Sequence, residues 1–71
     1  MTLDILKTNS SATIKKLNLP SDRKRRLQDM GVTEGTTVKH IQSNFLKSLY
    51  AYDVRGTVIA LRYEDICNIE I

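Results

Sequence analysis

The sequence predicts a mainly β fold: a small five-stranded barrel with one helix between the first two strands and short helical turns. Three observations predict it. Short stretches of apolar and polar alternation recur along the 71 residues, the period of half-buried strands. The strongest of them, residues 49–62, is a pair of β-rich runs around Arg55-Gly56, the pattern of a hairpin. One segment alone, residues 22–30, carries both the start and the stop signals of a full helix. Five short strands in so few residues favour a closed barrel, because closure removes exposed strand edges.

The elements follow in order. Leu3, Ile5 and Leu6 come after Thr2, an N-cap residue type, and predict a single helical turn over one mouth of the barrel before residues 7–11 turn the chain. Ala12 and Ile14 alternate with Thr13 and Lys15, but Leu17 and Leu19 continue the apolar positions on the opposite parity. That switch requires a bulge or sharp twist near Lys16.

The helix is predicted to start at Pro20-Ser21, with Ser21 accepting a hydrogen bond from a first-turn amide and Asp22 beside the positive end of the dipole. Gly31 stops it. With Gly31 at C′, Leu27 and Val32 take the positions whose contact accompanies a Schellman ending, and Leu27 and Met30 form a narrow buried stripe.

A second strand is predicted over residues 36–42, with Val38 and His40 on one face, followed by a loop over residues 43–48. In the hairpin, Tyr50, Tyr52 and Val54 share a face. Residues 63–66 make a helical turn, and Cys67, Ile69 and Ile71 alternate with Asn68 and Glu70 on a last half-buried strand.

Composition excludes several classes of function. A chain of 71 residues is read as one domain, 1–71, burying only about 60% of the surface that its unfolded form exposes, so a deep catalytic cleft is not expected. Cys67 is the single cysteine and rules out an internal disulfide, which points to a reducing cytoplasm. The longest apolar run, residues 58–61, is far short of a membrane span. There is no paired nucleophile and base and no glycine-rich phosphate loop, so no enzymatic activity is expected. The net charge of +3 is compatible with nucleic acid, acidic lipid or an acidic protein face.

Arg23, Lys24, Arg25 and Arg26 place four positive charges in the first half of the helix, where the dipole disfavours cations. One reading is a solvated helix whose arginine stems cover the barrel, with Arg25 near Asp29. The other is a docking surface for an acidic partner, since arginine grips carboxylates with two parallel hydrogen bonds. Lys15 and Lys16 extend the same basic stretch. In the loop, Phe45 and Leu46 serve either as a partner anchor or as a lid on the barrel.

These residues carry a resemblance. Arg25-Arg26-Leu27-Gln28-Asp29-Met30-Gly31-Val32-Thr33-Glu34-Gly35-Thr36 resembles the arginine-rich Leu-x-x-Met-Gly-x-Thr-x-Gly-Thr signature of FeoA proteins. Tyr52-Asp53-Val54-Arg55-Gly56 and then Ala60-Leu61-Arg62 are similar to later elements of that family, at matching spacing. The resemblance covers nearly the whole chain and implies an SH3-like barrel. It also implies an accessory role in ferrous iron uptake: binding the cytoplasmic part of FeoB, the membrane ferrous iron transporter with a GTP-binding domain. The protein would then be cytoplasmic, peripheral to the inner face of the membrane through that transporter and not inserted in it. Glu34 departs from the proline common at that place, which should loosen the turn.

No cofactor and no preformed metal site are predicted. The ferrous-iron context makes transition metal ion binding relevant, yet His40 and Cys67 lie in different strands without ligand spacing, and Glu64 and Asp65 point in different directions. The rival reading is an SH3-like nucleic-acid-binding or transcription-regulatory module. Against it, aromatics for base stacking are few, and nucleic acid is not the expected partner.

Overall fold

The computed structural model describes residues 1–45 and 49–71, and for residues 44 and 45 the backbone alone. A 3₁₀ turn, Leu3–Ile5, precedes strands β1 (Ser11–Thr13) and β2 (Lys16–Leu17) and helix α1 (Ser21–Asp29). Strands β3 (Thr37–Phe45), β4 (Leu49–Val54) and β5 (Thr57–Arg62), the short helix α2 (Tyr63–Ile66) and strand β6 (Ile69–Glu70) complete the order. The fold is SH3-like and mainly β, but the barrel is not closed: β1-β3-β4-β5 form one antiparallel sheet and β2-β6 another.

The reason lies in the parity switch of the first strand. Ile14 and Leu17 are both buried while Lys15 and Lys16 between them are exposed. Pleated backbone cannot do this without breaking, since a one-residue slip turns every side chain to the other face. The strand expected to bend instead splits, so that Ala12 pairs with Val38 of one sheet and Leu17 with Ile69 of the other. Counted once, the broken strand gives the expected five. Val38, Tyr52, Val54 and Leu61 from the large sheet meet Leu17 and Ile69 from the small one, with Leu3, Leu27 and Ile66 closing the core.

The hairpin turn is Arg55-Gly56, with φ of 54° and 84°. Both central residues are left-handed, as a type I′ turn requires, and the Asp53 carboxylate accepts the Gly56 N–H at 2.9 Å. Strand β3 is longer than residues 36–42, with register shifts after His40 and Gln42. Part of the expected loop 43–48 is therefore strand, and the rest lies outside the described residues.

The turn around Glu34 carries three hydrogen-bonded contacts. Thr36 N–H donates to the Thr33 carbonyl at 3.1 Å, Gly35 N–H donates to Ile14 at 2.8 Å, and the two threonine hydroxyls lie 2.7 Å apart. Cys67 is half-buried at the end of α2 and not on a strand, because α2 runs through Ile66 and breaks the alternation; Ile66 and Ile69 hold the buried positions. His40 is buried on β3 and its ring is held by polar contacts. Its Nδ1 donates to the Leu6 carbonyl at 2.7 Å, and its Nε2 lies 3.0 Å from the Ser43 hydroxyl. The ring also stacks on Tyr52 with centroids 5.0 Å apart.

Candidate protein-docking surface

Helix α1 begins one residue earlier than expected. Pro20 is its N-cap, with φ of −55°, and its carbonyl accepts the Lys24 N–H at 2.8 Å. Ser21 is the first helical residue and makes no side-chain cap. The fixed proline ring presets the entry instead. At the other end the Schellman geometry is complete: Val32 N–H donates to Leu27 at 2.9 Å and Gly31 N–H to Gln28 at 3.0 Å. Gly31 has φ of 95°, a conformation that a side chain would strain. Leu27 is the helix's buried residue, whereas Met30 is 41% exposed. As the C-cap residue, Met30 sits past the stripe and lines the rim of a groove instead of filling the core.

The four basic residues divide between two faces. Lys24 and Arg25 lie with Ser21, Asp22 and Gln28 along a shallow, outward-facing depression. Arg23 and Arg26, with Leu27 and Met30, form one wall of a groove of about 310 Å³ whose other wall is Ala60, Leu61, Arg62 and Asp65. This spacing of three and four residues is what one helix face presents.

Arg23 is committed within the chain. Its guanidinium binds the Asp65 carboxylate and lies 4.0 Å from Glu64, tying the first turn of α1 to α2. That pairing offsets, for one of the four cations, the unfavourable position near the positive end of the helix dipole. Among the described residues, Lys24, Arg25 and Arg26 have no carboxylate within ion-pair range, the expected Arg25–Asp29 pairing included. Lys15 and Lys16 are exposed but line neither depression. The Phe45 backbone ends β3 opposite Leu49; its side chain, and Leu46 altogether, lie outside the described residues.

Arg62 is the groove residue that sequence reasoning missed. Alternation along β5 could have placed it on the face away from Leu61, but only the fold sets it across from α1. It sits 3.8 Å from Glu64 and is 69% exposed. Among the described residues, no three or more His, Cys, Asp or Glu side chains are grouped to hold a metal ion. Among the same residues, no helix is long and apolar enough to cross a membrane.

Comparison with known proteins places these features in context. The model of the FeoA domain matches residues 1–71. The solution structure of the FeoA protein from Chlorobium tepidum superposes with a TM-score of 0.89 at 23% identity, over 97% of this chain and 66% of that one. Iron(II) transport protein A from Clostridium thermocellum gives a TM-score of 0.90 at 26% identity, over 99% of this chain and 43% of that one. The chain thus spans about two thirds of the first relative and under half of the second. FeoA from Stenotrophomonas maltophilia, in complex with zinc, is described as a prokaryotic SH3 domain protein and a candidate ferrous iron transport activating factor. It gives a TM-score of 0.80 at 25% identity, over 97% of this chain and 86% of that one. Comparison with curated protein sequences finds no match.

Proposed function

This chain belongs to the FeoA family, and on that premise we propose that it is a non-enzymatic accessory protein of ferrous iron uptake, a single cytoplasmic domain that binds the cytoplasmic part of a FeoB-type transporter. The observation that carries the reading is the contrast among four adjacent cations: Arg23 is spent on holding α1 to α2, while Arg25 and Arg26 stay exposed without a carboxylate partner among the described residues. A helix fixed by one arginine and presenting the next ones to solvent is suited to an acidic protein face.

To regulate transport, such binding must differ in affinity between two states of the transporter, since equal affinity for both shifts nothing. Bound FeoA would hold the side of the equilibrium that it grips more tightly, without performing chemistry on iron or nucleotide.

Calorimetric titration of the transporter's isolated cytoplasmic domain, with GDP and with a GTP analogue, tests this. Saturable binding is expected, and Arg25→Glu with Arg26→Glu should weaken it by about 1 kcal/mol or more while the fold is kept. An unchanged affinity for that double variant refutes the docking face. A chain that ignores the transporter domain and shifts short nucleic acids with steep salt dependence refutes the function.

A further inference from the structure

The groove beside α1 has a second property besides its charge. Strand β5 lies at the margin of the large sheet and, among the described residues, pairs only with β4. Val54 and Thr57 flank the two-residue turn and close the ladder as a hydrogen-bonded pair, so the same kind of pair recurs at Tyr52–Ile59 and Tyr50–Leu61. The backbone groups of Val58 and Ala60, in the intervening pairs, therefore point away from β4. Among the described residues neither makes a backbone hydrogen bond elsewhere. Ala60 is itself part of the groove wall, so a row of free donors and acceptors runs along a channel whose opposite side is α1.

The channel's lining is net positive. Arg23, Arg26 and Arg62 line it with Asp65, which Arg23 engages; Glu64 lies beside it, 4.0 Å from Arg23 and 3.8 Å from the largely exposed Arg62, and Arg26 has no carboxylate within ion-pair range among the described residues. Leu27, Leu61 and Met30 supply an apolar floor between the cations. An unpaired strand edge is a template for another strand, and main-chain pairing with pockets for alternate side chains is a known mode of peptide capture.

We propose that this groove receives an extended, acidic peptide segment of a protein partner, which adds as a strand to the open edge of β5. Its carboxylates meet Arg26 and Arg62, and an apolar residue between them rests on Leu27, Leu61 and Met30. The inference rests on the partner-binding reading above for the source of the peptide, while the groove's own preference can be measured without it.

The test titrates the isotopically labelled full chain with a capped hexapeptide of alternating Glu and Val, and in parallel with one of alternating Lys and Val, following amide shifts. The acidic peptide should give saturable shifts concentrated at Val58, Ala60 and Arg62 and along the last turn of α1, with the basic peptide about tenfold weaker or more. No saturable response to the acidic peptide, or equal binding of the basic one, overturns the proposal.

Ala60→Pro removes the outward N–H without taking a bond from the β4 ladder. It should abolish peptide binding with the remaining spectrum intact, and undiminished binding overturns strand addition. Should that variant not fold, an acidic peptide N-methylated at alternate residues asks the same question from the ligand's side: lost affinity supports the proposal and retained affinity overturns it. If the transporter domain binds Ala60→Pro as well as wild type but loses Arg25→Glu with Arg26→Glu, the edge proposal falls and the partner-binding reading stands. If the acidic peptide binds a chain that ignores the transporter domain, the groove stands and the transporter reading falls.

Discussion

Replacing Tyr52 by phenylalanine should stabilise this protein, and should do so more as the pH rises. Tyr52 is fully buried, its hydroxyl has no hydrogen-bond partner among the described residues, and its ring stacks on His40. The substitution keeps the ring and its stacking and removes only the oxygen. An unsatisfied buried hydroxyl costs about 1–3 kcal/mol of desolvation. Set against the small loss of packing around one atom, a net gain of about 1 kcal/mol is expected at neutral pH, or about 4–8 °C in melting temperature for a domain of this size.

The alkaline limb sharpens the test. Burial, with the Tyr50 hydroxyl next in importance, pushes the Tyr52 hydroxyl well above the ordinary phenol range in the folded state. Below about pH 10 the tyrosine holds its proton folded and unfolded, and the contribution is silent. Above it the unfolded chain releases a proton that the folded one retains, so wild-type stability falls with rising pH until the folded group also ionises. The phenylalanine variant has no such loss. The stability difference between variant and wild type should therefore widen by about 1.4 kcal/mol between neutral pH and pH ~11. Urea unfolding followed by circular dichroism at the two pH values measures it. A variant less stable than wild type at neutral pH, or a difference that does not change with pH, refutes the account of Tyr52.

Other perturbations probe the helix and its anchoring. Leu27→Ala should cost about 2–5 kcal/mol by urea unfolding, because a buried side chain leaves a cavity and the contact that ends α1 is lost with it; a midpoint within error of wild type would contradict that. Gly31→Ala should cost about 1–2 kcal/mol through its left-handed backbone and not through a clash, since an added Cβ meets Val54 at an ordinary 3.7 Å. Replacement by a D-alanine through peptide ligation should restore the loss, and failure to do so would point to packing. Arg23→Ala should cost no more than about 1 kcal/mol, the pair with Asp65 being partly exposed, and its amide shifts should appear in α2 as well as α1. Shifts confined to α1 would mean that the tie between the helices is not formed in solution.

What could be read from the chain divides by the distance over which each cause acts. The Gly31 stop, the Arg55-Gly56 turn and the break near Lys16 were legible because each is a local conflict or preference of the backbone. That the break would part the strand between two sheets was not legible, since it depends on Ile69 reaching Leu17 from the far end of the chain. The basic cluster could be seen as charge, but not its division: Arg23 and Arg26 fall on one helix face, and only tertiary packing brings Asp65 and Arg62 to that face. Met30 was misplaced for a related reason, because three-residue spacing from Leu27 says nothing of where the core stops. Ser21 lost the capping role to its neighbour, as the Pro20 carbonyl was in place to accept the first helical bond.

The split strand also orders events in time. The meander of β3, β4 and β5 joins neighbours in sequence and needs no partner from a distant part of the chain. Leu17, by contrast, must wait for Ile69, and Thr2 bridges Glu70 at the same seam. Contacts of such long separation set the pace of folding, because the entropy of closing the loop is lost before the contact repays it. A nascent chain with its meander complete would still have Leu17 waiting for the last strand. The small sheet is thus the final fastening, and conditions that slow its arrival would leave Leu17 open to water for longest.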